Sequence, residues 1–219
     1  MVDFSRARRN MVDSQLRTNA VTDERLLAAF ETVPRELFVE PSRAGVAYCD
    51  EDVPCGAGRW LMEPVTAARL LQALDVGADD VVLDVGCAAG YATALIAQLA
   101  ASAVGLEADA GLAARANALM TELAVDNAVI VEGDLAAGHA SHAPYDAIFL
   151  GGAAAEIPGA LTDQLAEGGR LAAVCMSPGG SMGSATLFLR RGGVVSGRKL
   201  FDAAVPALPG FEPKPGFVF

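Results

Sequence analysis

Asp84, Glu107 and Asp134 each stand at the end of a short apolar run, where a carboxylate can receive a ligand's hydroxyl or amino group or face a cationic one. Asp84 follows Val81-Val82-Leu83 and leads into the small-residue turn Gly86-Cys87-Ala88-Ala89-Gly90. A helical pattern, Tyr91–Leu99, comes next. Glycine in such a turn permits positive φ and lets a ligand approach the backbone. In open α/β sheets this turn lies at the carboxyl ends of the strands, where ligands bind. Glu107 lies 23 residues beyond Asp84, close to the spacing at which an acid reaches ribose hydroxyls. Gly133-Asp134 closes a third run, where a carboxylate can accept from an adenine amino group. A fourth run, Tyr145–Leu150, leaves through Gly151-Gly152 beside the first. Each feature has a plainer reading: Asp84 as a cap for turn amides, Glu107 as a helix N-terminal acid, Gly133-Asp134 as a turn. Taken in order at successive strand ends, they point to a nucleoside. A pyrophosphate would need the positive end of a helix. An acid two residues before the first glycine suits a cationic sulfonium better, so we expect S-adenosylmethionine.

Positioning these residues requires alternating strands and helices. The sequence predicts strands at Val81–Val85, Ala103–Leu106, Ala128–Val131, Asp146–Leu150 and Arg170–Cys175. Helices are expected over Ala89–Ala100, Leu112–Leu123 and from Ile157 through Leu165. This βαβα order implies a mostly parallel sheet covered on both faces. Thr186–Leu189 and Val194–Phe201 flank Arg191-Gly192-Gly193 and read as an antiparallel hairpin. Ser177–Ser184 is loose and glycine-rich, and residues 204–219 read as an extended cover. Ahead of the sheet, residues 4–20 look helical. A second helix runs from a Thr22 N-cap through Phe30 and stops before Pro34. Residues 40–64 have no clear period and read as an irregular binding loop or a connector. Met62–Leu74 is helical again. We divide the chain into residues 1–74, a helical extension and substrate lid, and 75–219, the ligand-binding domain with its hairpin and tail.

Composition excludes several function classes. The formal net charge of −11 disfavours nucleic acid, whose affinity comes largely from Lys and Arg neutralising phosphates. The one basic cluster, Arg6-Ala7-Arg8-Arg9, is short and reads as a solvated helix face. Hydrophobic residues make up 53% of the chain and mean hydropathy is +0.35, yet no membrane span is expected. The long uncharged stretch Val85–Leu106 contains Gly86, Gly90, Thr93, Gln98, Ser102 and Gly105, which fits loop, helix and strand better. Cys49, Cys55, Cys87 and Cys175 match no zinc or redox spacing and are expected as reduced thiols in a cytoplasmic protein. No signal peptide is visible. His139-x-x-His142 near Asp134 falls in an expected loop, and we expect no metal there. Oligomeric state is not legible.

The order VLDVG…GY, then GLE, then EGD, then APYDAIFLGGAAAEIPGALTDQLAEGGRL resembles the protein-L-isoaspartate O-methyltransferases. Met11-Val12…Gln15-Leu16, Val33-Pro34-Arg35-Glu36-Leu37-Phe38-Val39 and Ala47-Tyr48…Asp52-Val53-Pro54 extend the likeness to residues 8–190. The resemblance implies a Rossmann-like methyltransferase fold: a mostly parallel sheet with a C-terminal antiparallel hairpin and an N-terminal helical extension. It implies methyl transfer from S-adenosyl-L-methionine to the carboxylate of isoaspartyl residues in damaged proteins, with S-adenosylhomocysteine as product. The cofactor positions it implies are Asp84, Gly86, Cys87, Ala88, Gly90, Glu107, Ala108, Asp134, Leu135 and Gly151.

Several positions depart from the family pattern. The middle glycine of the loop is Ala88, whose Cβ narrows the approach or calls for negative φ, and Leu135 stands where a glycine is usual. The family's lid reads approximately Gly-Gln-Thr-Ile-Ser-x-Pro, against Gly58-Arg59-Trp60-Leu61-Met62-Glu63-Pro64 here. The lid serine therefore falls on Met62, whose sulfur cannot donate a hydrogen bond. No catalytic residue is assigned. Arg59, Trp60, Leu61 and Met62 are the lid and substrate positions, with Arg59 either forked onto the substrate carboxylate or, more commonly for such a residue, solvated. Trp60 either stacks on a substrate or plugs the pocket. Two alternatives stand beside the main reading: a methyltransferase with another acceptor, and a weak or inactive relative acting as an interaction module.

Overall fold

The computed structural model describes residues 3–177 and 182–213. Helix α1 (Phe4–Met11) is capped by Asp3 and continues through a wide turn at Val12–Leu16 into a 3₁₀ turn at Arg17–Asn19. Helix α2 (Glu24–Thr32) is capped by Asp23, not by Thr22. The Asp23 carboxylate reaches the Arg25 and Leu26 amides, and the Gln72 side chain accepts from the N–H groups of both Thr22 and Asp23.

The segment 40–64, expected to be irregular, is in part ordered. It holds a 3₁₀ turn at Pro41–Val46 and an antiparallel hairpin, β1 (Val53–Gly56) with β2 (Arg59–Leu61). Gly56, Ala57 and Gly58 all take positive φ at its tip. Helix α3 (Pro64–Leu74) starts on its proline, which lacks only an N–H that the first turn leaves unpaired anyway.

Strands and helices then alternate as expected: β3 (Val81–Val85), α4 (Tyr91–Ala97), β4 (Ser102–Glu107), α5 (Ala110–Glu122), β5 (Ala128–Glu132), β6 (Tyr145–Ala154), α6 (Gly159–Asp163) and β7 (Leu165–Cys175). The helix expected through Leu165 is cut to a single turn and a half, because Leu165 already pairs with Tyr145. A longer hairpin than expected, β8 (Gly183–Arg191) and β9 (Val194–Ala203), closes the sheet. Part of the loose segment before it, residues 178–181, lies outside the described residues, as do 214–219 of the tail.

The sheet order is β5-β4-β3-β6-β7-β8-β9, with β3 through β7 parallel. Successive strands run to one side from β3 and then restart on its other side with β6. Ligands bind at such a reversal, at the carboxyl ends of the strands. Val82, Ala147 and Phe149 face an apolar cluster shared with α3, α4 and the N-terminal helices. Leu83, Val85, Ile148 and Leu150 face the other, with α6 and the tail residues Leu208 and Phe211. Burial on both faces explains why these strands read as continuous apolar runs. The tail binds β6 directly: Ala153 N–H donates to Pro206 O, and Leu208 N–H to Ala153 O, both at 2.9 Å. Among the described residues no helix is long and apolar enough to cross a membrane.

Candidate functional site

The turn after β3 is held by the neighbouring strand. Gly86 and Cys87 N–H both donate to Leu106 O, at 2.8 and 3.0 Å, and Gly90 N–H closes onto Cys87 O at 2.8 Å. Gly86, Ala88 and Gly90 alternate through positive φ, at 76°, 52° and 93°. Of the two expectations for Ala88, a narrowed approach or negative φ, the second does not hold. The residue adopts the left-handed conformation instead, at a typical cost of about 1 kcal/mol, because its N–H is pulled 2.7 Å from Glu107 Oε2. Gly151 lets β6 pass close to the turn: a Cβ there would stand 2.5 Å from Gly86 O.

Asp84 is fully buried between Gly105 of β4 and Phe149 of β6. Oδ2 accepts from Thr93 Oγ1 on α4 at 2.6 Å. Oδ1 has no partner among the described residues. Asp84 therefore does not cap the turn's amides. Burial pushes its carboxyl from 3.8 up to about 7, against the opposing pull of the Thr93 hydroxyl and Arg59. Gly105 makes this arrangement possible, since a Cβ there would meet Thr93 Oγ1 at 2.8 Å and Cys87 Sγ at 3.1 Å. The Cys87 thiol is likewise pushed well above its ordinary value by burial and serves as packing.

Glu107 ends β4 and is 1% exposed. Its Oε1 accepts from Ala108 and Asp109 N–H at 2.9 and 3.2 Å. Its Oε2 accepts from Ala88 N–H and, at 3.2 Å, from Arg59 Nε. Arg59 was expected to be solvated. It is 4% exposed and turned inward from β2, with Nη2 donating to Gly86 O. A paired carboxylate offsets the cost of desolvating such a cation, and Glu107, 48 residues away in sequence, is that partner.

Asp84, Gly86, Cys87, Ala88 and Gly151 line a cavity of about 30 Å³ together with Phe38, Phe149, Tyr91 and the lid residues Trp60, Leu61 and Met62. Space for a water needs roughly 10–15 Å³ on this measure, so a water or two would fill it. Met62 is buried in the wall, and Trp60 is 38% exposed at the rim. Asp134 and Leu135 stand apart from this cavity. Asp134 is exposed and its Oδ1 accepts from Ala136 N–H at 2.9 Å, an ordinary turn, while Leu135 is buried in the opposite apolar cluster. Gly90 caps α4, and Ala108 is exposed beside Glu107. His139 and His142 stack their rings, with centroids 4.9 Å apart.

Two arginines tie down the N-terminal segment, and no spacing in the sequence identifies their partners. Arg35 is fully buried, donates from Nε to Ala47 O and from Nη2 to Met62 O at 2.7 Å, and lies 5.0 Å from the Tyr91 ring centre. Arg115 on α5 donates to Leu37 O at 2.9 Å and to Val39 O. Only the tertiary fold supplies their carbonyl partners.

Residues 6–193 match the model of the family described as protein-L-isoaspartate(D-aspartate) O-methyltransferase. The protein-L-isoaspartate O-methyltransferase of Methanoculleus marisnigri is 40% identical over 77% of this chain and 76% of its own. That of Koribacter versatilis is 39% identical over 81% and 80%. In fold the chain is similar to a solved protein-L-isoaspartate O-methyltransferase, with a TM-score of 0.81 at 22% identity over 92% of this chain and 65% of that one. A Plasmodium falciparum structure described as such an enzyme in complex with S-adenosyl-L-homocysteine gives 0.78 at 20% identity, over 95% and 99%.

Proposed function

The chain belongs to the protein-L-isoaspartate(D-aspartate) O-methyltransferase family, and on that premise we propose that it is an enzyme methylating the carboxylate of isoaspartyl residues in damaged proteins, with S-adenosylmethionine as donor. The observation that carries the cofactor reading is the buried, unpartnered Asp84 Oδ1 beside the glycine turn. A buried carboxylate oxygen without a donor is costly, and a ligand ammonium would satisfy it. When bound, S-adenosylmethionine supplies an electrophilic methyl group, which passes to a carboxylate oxygen while the carbon–sulfur electron pair stays on sulfur.

This chain's residues bind and orient. Asp84 receives the ammonium, and the Gly86–Gly90 turn with Gly151 gives backbone that a ligand can approach. Glu107 is the acceptor for ribose hydroxyls, with Ala108 beside it, and the Asp134-Leu135 turn is the neighbour of the adenine. Phe38, Phe149 and Met62 give the cavity an apolar lining that a bound ligand would share. No general base is required, because the acceptor carboxylate is ionised near neutral pH. The rate then rests on alignment, and Arg35 contributes by fixing the Met62 and Ala47 carbonyls.

Transfer of labelled methyl to an isoaspartyl peptide, as a base-labile ester, tests the reading. The peptide with ordinary aspartate should remain unlabelled. Met62, with no hydrogen to donate where the family has serine, favours one second reading: cofactor binding without labelling of the isoaspartyl peptide would mean a different acceptor.

A further inference from the structure

Glu107 has no acceptor capacity left. A carboxylate oxygen accepts about two hydrogen bonds, and each of its oxygens already holds two. Three of the four donors are backbone amides of the β3 and β4 turns. The fourth, the Arg59 guanidinium, is the only one on a side chain. It lies on a two-stranded hairpin that shares no ladder with the main sheet. The same guanidinium covers Gly86 O, and a Cβ on Gly86 would collide with it. The neighbouring cavity, which shares Gly86 and Ala88 with this cluster, is about 30 Å³, against roughly 300–1,000 Å³ for sites that enclose a small-molecule ligand.

We propose that Arg59 gates the cofactor site and then serves the acceptor. With the site closed, its guanidinium neutralises Glu107. A ribose hydroxyl can take Glu107 Oε2 only by displacing it. The displaced arginine loses the Glu107 carboxylate, and a charge left buried with no acceptor is strongly unfavourable, so it needs a new one. Apart from the cofactor's own carboxylate, the anion this reaction brings is the acceptor carboxylate, which an arginine fork suits. Met62 offers that carboxylate no donor, and Arg59, three residues earlier in the same lid, does. Cofactor therefore binds first, and its binding creates the acceptor site. This rests on the cofactor reading above.

Calorimetric titration with S-adenosylhomocysteine tests it, using the full chain, Arg59→Gln and Arg59→Lys. Arg59→Gln keeps length and removes charge, and should bind about tenfold more tightly, since affinity is reduced by the fraction of closed protein. Arg59→Lys, with charge but no fork, should fall between, and carries the test if Arg59→Gln does not fold by circular dichroism. An isoaspartyl peptide should then bind the wild type only when S-adenosylhomocysteine is present, and bind Arg59→Gln at least about tenfold more weakly in its presence. Wild-type binding with equal or weaker binding by both variants overturns the gate while leaving the cofactor reading intact. Tighter cofactor binding with unchanged peptide binding overturns the acceptor role. No binding by any of the three overturns both the gate and the cofactor reading.

Discussion

The two walls of the site are built in different ways. The glycine-turn wall is set by strand register. Asp84 lies between Gly105 and Phe149, and the turn hangs from Leu106 O. The lid wall is a short hairpin tied down from a distance, by Arg35 to Met62 O and by the Asp52 carboxylate to Glu63 N–H at 2.8 Å. The first wall has an acceptor in reserve, Asp84 Oδ1. The second has committed its cation, Arg59, to the first wall's Glu107. One wall is ready for a ligand, and the other decides when the ligand enters.

Breaking the ready wall should give the largest effect. Asp84→Ala removes the buried carboxylate oxygen that has no partner among the described residues, and a hydrogen bond to a charged group is worth about 1.5–3 kcal/mol. S-adenosylhomocysteine affinity should fall about 10–100-fold by calorimetry. Unchanged affinity would mean that the turn is not the cofactor wall. The lid wall should respond differently. Met62→Ser supplies the hydroxyl that the wall lacks, and kcat toward an isoaspartyl peptide should rise about tenfold, less than the 10²–10³ an ideal donor gives. The same change empties buried volume, so unfolding stability should drop by about 2 kcal/mol in urea titration. A drop in stability with no gain in kcat would show that a hydroxyl at this position does not help the acceptor.

Much of the ready wall was legible because its residues are neighbours in sequence or sit at regular intervals. Val81–Gly90, Glu107 and Gly151 follow from apolar runs, small-residue exits and the strand–helix alternation. The lid wall was hidden for physical reasons. Strands of four and three residues carry no readable alternation. An arginine beside a tryptophan in a Pro/Gly-rich segment reads as solvated, and only folding reveals Glu107 as its partner. Arg35 finds its partners in backbone carbonyls, which have no sequence signature, and Arg115 does the same while also pairing with Glu40, 75 residues away. Thr22 and Asp23 are both competent caps by residue type, and their N–H groups both go to the Gln72 side chain, about 50 residues on, which no local pattern reveals. Ala88 shows the reverse case: its side chain argued against positive φ, and the bond from its N–H to Glu107 outweighed that preference.

A smaller effect should come from the rim. Trp60 is 38% exposed and still buries most of its ring, so Trp60→Ala should cost about 1–2 kcal/mol of stability in urea titration. If its ring stacks on the acceptor, KM for the peptide should rise severalfold with S-adenosylhomocysteine affinity unchanged. If instead it plugs the pocket, the cofactor affinity will rise and KM will not. Either result sharpens the division between a wall for the cofactor and a wall for the acceptor.

The smallest expected effect separates the walls by pH. Burial raises the Asp84 carboxyl from 3.8 to about 7, so between these values the folded protein holds a proton that the unfolded chain has released. The stability that this proton confers is fully present below about pH 4 and is lost as pH rises through 7. Ligand binding runs the other way, because an ammonium needs the ionised carboxylate. S-adenosylhomocysteine affinity should therefore fall about twofold between pH 8 and pH 7, following the ionised fraction, and more steeply below. Asp52 in the lid is also raised by burial, to about 6, and adds to the stability trend with the same sign. It has no part in receiving the ammonium. Asp84→Asn should consequently flatten the pH dependence of affinity while leaving the Asp52 share of the stability slope in place. Affinity that still falls with pH in Asp84→Asn would assign the proton to the lid wall instead.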